Sequence, residues 1–268
     1  MRKIKRKSLK TKLVGLLWMR SSKNSKRFIE IDLLRGLAIF LMVFGHLLWD
    51  LDYFNLIPMN NLIYSALQKI VPPLFFLLVG ISLVLSRKKT MKDKIKIYNE
   101  KIFIRGMKIF NLGVILTIFS LLAIPDRPVM FGVLHCIGLS IVLSIYFLKY
   151  RAANMFLGLS LIIMGLFLSN IDFSSPSIFH LIIGMHQSNI WMYTVDYFPL
   201  LPWLGFVLLG AGIGDVLYDK DKRKFRFPDI SKYKPARMFS WLGRHSLEIY
   251  ILHQPVLAGI MYILIKTI

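Results

Sequence analysis

Cysteine is almost absent from this chain: Cys136 is the only one. One thiol excludes a disulfide framework within the chain and any cysteine-based metal site. Acidic residues are also scarce, 14 Asp and Glu against 35 Lys and Arg. No internal repeat or low-complexity tract is visible, which fits a single domain over 28–268 preceded by a basic segment, 1–27. That segment holds the apolar piece Leu13 to Met19, but Arg20 interrupts it and no small-residue cleavage site follows. A signal peptide is therefore not expected, and a short amphipathic stretch lying on an anionic membrane surface fits better.

What the chain has in quantity is apolar side chains. They make up 56% of the 268 residues, where a soluble domain usually has less than half. Mean hydropathy is +0.58 despite a formal charge of +21, so the charge must be segregated from the apolar stretches. A spanning helix needs roughly 20 mostly apolar residues. Seven such stretches are expected, at about 33–53, 62–86, 103–124, 130–148, 153–170, 199–218 and 245–266. The fold class is thus all-α, a polytopic membrane bundle of about seven helices.

The connections test this assignment. Eleven of the first 27 residues are Lys or Arg. The second connection adds seven more between Arg87 and Lys101, the fourth adds Lys149 and Arg151, and the sixth adds nine between Lys220 and Arg244. The other connections, 54–61, 125–129 and 171–198, contain only Arg127. Alternating spans put all the basic connections on one side, so the N-terminus is cytoplasmic and the C-terminus outside, as expected for a plasma membrane protein. The basic balance then reflects topology and lipid contact, and no nucleic-acid partner is implied. The long outer segment 171–198 includes an apolar piece, Ile178 to Ile183, that is too short to span. It suits a re-entrant or interfacial cap on the outer face.

Ionisable groups inside a span are costly and are functional candidates by default. The first span carries Asp32, Arg35, His46 and Asp50. Asp32 and Arg35 are three apart and can pair. His46 follows Arg35 by eleven residues, close to three helical turns, which sets it about 16 Å further along the same face. Asp50 is four residues beyond His46 and can orient it. Neutral imidazole suits general-base removal of a proton from a hydroxyl or amine, with the carboxylate fixing its tautomer. A structural hydrogen bond or a proton relay would use the same residues. His135 and His253 lie in the outer halves of two further spans, but no ligand pair shares a helical turn, so no metal is expected. Pro255 frees the carbonyl of Ile251, and a kink beside His253 is expected. At the cytoplasmic start of the third span, Arg105 and Lys108 share a face and suit phosphate groups, or else lipid phosphates reached by snorkelling.

The run Arg27-Phe-Ile-Glu-Ile-Asp32-Leu-Leu-Arg35-Gly36, with His46 eleven residues after the arginine, resembles the opening of the heparan-α-glucosaminide N-acetyltransferase catalytic-domain family. Blocks at Phe131–Gly138, Asp196–Gly205 and Leu242–Pro255 are similar to its prokaryotic branch. A more distant resemblance is to membrane acyltransferases that O-acylate bacterial surface glycans. The resemblance implies an acyltransferase that takes an acyl group, usually acetyl, from cytoplasmic acyl-CoA to an amino sugar or other glycan outside. It also implies that Arg35 and His46 are the essential pair. Where the glycan-acylating relatives have Arg-x-x-Arg in the third helix, this chain has Arg105-x-x-Lys108, and lysine cannot make the bidentate contact.

On this reading Asp32, Arg35, Arg105 and Lys108 form the acetyl-CoA end of the site. His46 is the base, Asp50 its orienter, and His135 or His253 assists. Membrane lipid is a further partner, and a homodimer is compatible with the sequence without being required by it. The competing class is a proton-coupled transporter or flippase, against which no inverted repeat or paired broken helices are visible.

Overall fold

The structure is a computed structural model that describes residues 27–58, 60–90, 94–220 and 222–267. The amphipathic stretch expected within the first 26 residues lies outside the described residues. The helices are α1 (Ile29–Tyr53), α2 (Asn61–Lys88), α3 (Ile95–Ala123), α4 (Val133–Phe147), α5 (Asn154–Leu168), the short α6 (Ile178–Ile183), α7 (Leu200–Leu217), α8 (Lys234–Arg244) and α9 (Ser246–Thr267). A two-residue hairpin, β1 (Tyr218–Asp219) with β2 (Lys222–Arg223), follows α7.

Six stretches are long and apolar enough to cross a membrane, and one of them runs from Val133 to Leu168. That stretch is not one rod. Arg151 takes a positive φ of 51° within the 3₁₀ turn Leu148–Ala153, which divides it into α4 and α5. Packing shows that the two halves run in opposite directions: α4 and α7 start at the same end, where the Phe198 N–H donates to the Phe131 carbonyl, and α5 runs against α7. Gly106 of α3 abuts Gly138 of α4 while Gly113 abuts His135, so α3 and α4 are antiparallel. Gly158 of α5 abuts Gly205 of α7 while Met155 abuts Gly212, so α5 and α7 are antiparallel as well. In α2 and α7, Leu77 meets Gly210 and Ile81 meets Gly214, so these two run the same way. Those directions are the ones that seven alternating passes require, and the expected all-helical bundle is what the chain forms.

Lipid tails are as apolar as leucine, so spanning helices gain little by hiding apolar surface from one another and associate through close packing. Small residues mark the closest contacts here. A Cβ on Gly80 would collide with the carbonyl of Val207, and one on Gly210 with that of Leu77. α7 is the central element, packed on α2, α4 and α5. Around it Phe76, Cys136, Val207 and Ala211 are completely buried.

Two boundaries differ from the hydropathy reading. α3 begins at Ile95 rather than near 103, because backbone hydrogen bonding continues through a polar first section containing Lys96, Glu100 and Lys101. Residues 234–244, read as part of the basic sixth connection, form the helix α8, and the helix ends at His245 before α9 begins. α8 is amphipathic: Ala236, Ser240 and Gly243 are buried while Lys234, Arg237, Trp241 and Arg244 are exposed. Its small-residue face lies on Gly36 of α1, where Gly243 meets the Asp32 carbonyl and Gly36 meets that of Phe239.

The outer segment does not span. α6 is closed at its start by Ser177 and His180, whose side chains are 2.7 Å apart. It stops at Gly184, where φ is +119° and a side chain would be strained.

Candidate active site

At the end of the bundle that carries the basic connections, one ion pair ties the start of α1 to β2 and another ties α2 to α7. Arg223 reaches Glu30 at 3.1 Å, and Lys88 reaches Asp215 at 2.9 Å. One turn into α1, the Arg35 guanidinium donates to Asp32 at 3.3 Å and to the Ser82 hydroxyl of α2 at 2.6 Å. Ser82 donates to the Leu78 carbonyl of its own helix at 2.6 Å, so the acceptor for Arg35 is held in place. The charges of Arg105 on α3 and Arg27 are also within electrostatic range of Arg35. Yet α1 and α3 do not pack on each other: α1 lies against α2, α8 and α9, and α3 lies against α4. The like charges of Arg35 and Arg105 oppose each other, and an anionic ligand between them would ease that repulsion. Lys108 lies one turn beyond Arg105, half-buried.

Three turns up α1 from Arg35, His46 remains exposed rather than sealed. Its ring lies 4.8 Å from that of His253 on α9, centroid to centroid. His253 is oriented by its own helix: Nδ1 donates to the Tyr250 carbonyl at 2.7 Å. A carbonyl can only accept, so Nδ1 carries the proton and the lone pair of the neutral ring is on Nε2. That Nε2 is buried without a partner. Pro255 contributes locally, because it lacks an N–H and loosens the hydrogen-bond ladder of α9 beside this histidine.

Asp50 is the residue expected to orient His46. It is buried, and its Oδ1 accepts from Gln254 of α9 at 3.1 Å. Oδ2 and the Gln254 Oε1 have no partner. The described hydrogen bond of Asp50 thus joins α1 to α9 one turn above the imidazole pair and does not go to His46. His135 stands in another layer, buried on α4 between Phe110, edge-on at 5.2 Å, and Phe131, stacked at 5.5 Å. Gly113 of α3 leaves the space its ring fills. The structure therefore brings together Asp32 with Arg35, His46 with His253, and α1 with α9 through Asp50. Among the described residues no group of three or more His, Cys, Asp or Glu could hold a metal ion.

Sequence reasoning did not single out Gln254, Ser82, Tyr250 or Asp196 as site residues. Each acts through a partner on another helix or in the outer segment, at separations of 204, 47 and 54 residues for the first, second and last pairs. No periodicity carries such a signal. A cavity of about 440 Å³ lies nearby on the outer side, between α2, the end of α5, the outer segment and the start of α7. Trp191, Tyr197, Phe198 and Trp203 give it aromatic walls, with Gln68 and His186 among its polar groups.

A helical bundle with a polar stripe inside its first helix defines an integral membrane protein of the polytopic class. Over residues 27–255 the chain matches the family described as heparan-alpha-glucosaminide N-acetyltransferase, catalytic, and it belongs to that family. It is accordingly a membrane transferase, of a family of acetyltransferases. No curated protein and no solved structure matches it.

Proposed function

We propose that the chain moves an acetyl group from cytoplasmic acetyl-CoA to an amino sugar or other glycan on the outer face of the plasma membrane. The observation that carries this is the α1 stripe. Arg35, held by Asp32 and Ser82, is within electrostatic range of Arg105, and His46 meets His253 three turns further along the helix. The phosphates of the donor suit the paired guanidiniums, with Lys108 as a further cation and Asp32 holding Arg35 in place. The narrow pantetheine arm then runs along the α1 stripe and brings the thioester to the imidazoles.

His46 takes the proton from the acceptor amine or hydroxyl as that group attacks the thioester carbonyl. The carbon–sulfur bond breaks, and the departing thiolate takes the proton from the imidazolium. His253, with its Nε2 lone pair free, assists in that proton transfer. Asp50 keeps α1 and α9 in register through Gln254, and His135, unpartnered at Nδ1, is the assisting imidazole of the α3–α4 layer. The aromatic cavity is the outer approach: sugar rings stack on such walls through their C–H faces, and its polar groups suit hydroxyls.

The test is release of the CoA thiol from acetyl-CoA by the purified protein in lipid nanodiscs, with glucosamine as probe acceptor. Arg35→Ala is expected to raise KM for acetyl-CoA. His46→Ala is expected to lower kcat by about 100-fold or more, the usual size of a lost general base. No thiol release by the unaltered protein, together with no acetyl-CoA binding, would sink the reading and favour a transporter.

A further inference from the structure

Asp196 lies outside the first-helix stripe, in the outer segment just before α7, yet it sits where three parts of the molecule meet. Its Oδ2 accepts the N–H of Val133, the first residue of α4, at 3.2 Å. Gly132 makes room for this, since a Cβ there would collide with the carboxylate. The surrounding backbone is stitched down. Thr194 Oγ1 accepts from Met130 N–H and donates to the Asp196 carbonyl, and Phe198 N–H donates to the Phe131 carbonyl at 2.7 Å. Asp196 is thus held on the outer end of α4 as a fixed post.

The same Oδ2 accepts the Tyr250 hydroxyl of α9 at 3.4 Å. Tyr250 is also the residue whose carbonyl takes the Nδ1 proton of His253. One residue is therefore tied at its side chain to the α4 end and at its backbone to the imidazole. α9 packs mainly on α1 and, lightly, on α8. The hydroxyl–carboxylate contact is its tie to the opposite layer.

We infer that Asp196 is a positioning residue: through Tyr250 it fixes the rotation of α9 and so holds the ring of His253 beside that of His46. The catalytic consequence rests on the acetyl-transfer reading, whereas the tether itself does not. The physical requirement is ordinary: a proton acceptor displaced by about 1 Å loses much of its rate advantage, while a donor site more than two helical turns away is unaffected.

Tyr250→Phe and Asp196→Asn in the full chain test this in two ways. Tyr250→Phe deletes one hydroxyl and keeps the ring. Asp196→Asn keeps an oxygen able to accept, which protects the fold. In the thiol-release assay with acetyl-CoA and glucosamine, Tyr250→Phe is expected to lower kcat by about tenfold or more. KM for acetyl-CoA should stay within about twofold, because the Arg35 end is untouched. Nitrogen-15 NMR of histidine, with the His253 signals identified by their loss in His253→Gln, reads the tether without any activity. The unaltered protein should show the Nδ1–H form of His253, and Tyr250→Phe should move its signals. An unchanged kcat with unmoved His253 signals in both variants overturns the proposal. Absence of thiol release by the unaltered protein removes the acetyl-transfer reading alone, and the NMR comparison then decides the tether.

Discussion

His253 and Asp196 show how much single atoms determine here. The imidazole presents a lone pair at Nε2 only because a carbonyl three residues back holds the other nitrogen's proton. Asp196 titrates in an unusual range: burial pushes its carboxyl up to about 6, against the pull of the Val133 N–H and the Tyr250 hydroxyl. An acid with a raised folded pKa holds its proton more tightly folded than unfolded. The fold is therefore favoured most below the ordinary value of 3.8, and loses that advantage as the pH rises towards about 6. The loss is no more than roughly 3 kcal/mol. Asp196→Asn should abolish it, so thermal unfolding of the unaltered protein is expected to fall between pH 4 and pH 7 relative to this variant. Parallel melting curves for the two proteins across that range would contradict the assignment.

Among elements, α8 and α9 make a useful contrast. α8 reached its place because Gly36 and Gly243 allow two backbones to touch. Gly36→Ala would drive a methyl group into the Phe239 carbonyl and the Gly243 backbone, where neither side is a flexible side chain. Overpacking of this kind costs about 1–3 kcal/mol or more. Arg35 is the next residue, so acetyl-CoA binding should weaken together with the melting temperature. Gly259 of α9 has nothing within 4 Å of the position its Cβ would occupy. Gly259→Ala should therefore be neutral or stabilise the helix by about 0.5–1 kcal/mol, read as an equal or higher melting temperature. Hydropathy anticipated α9 and overlooked α8 for one reason. A spanning helix is apolar over twenty residues, whereas α8 spends eleven residues on a narrow face of Ala, Ser and Gly between exposed charges.

For the molecule as a whole, orientation is the property with the clearest test. The basic connections gather at the end where Arg35, Lys88 and Arg223 make their ion pairs. Native Cys136 is buried, so it gives a quiet background for labelling. An impermeant maleimide applied to intact cells should react with Met192→Cys, on the outer segment, and not with Tyr150→Cys, in the fourth connection; both positions are exposed. The opposite pattern would invert the bundle and place the paired arginines outside.

The all-helical membrane class, the expectation of alternating passes with their basic connections on one side, and the placing of Asp32, Arg35, His46 and Asp50 on one helix came from the sequence alone. All of these follow from local quantities: the length of apolar runs, the side on which lysine and arginine fall, and 3.6 residues per turn. Which groups those residues meet was decided only by the tertiary structure. Asp50 pairs with Gln254 rather than with His46, His253 rather than His135 lies against His46, and Asp196 reaches Tyr250 from the outer segment. A hydrogen bond between residues 54 or 204 positions apart depends on how whole helices pack, and packing is set by where glycines let backbones approach.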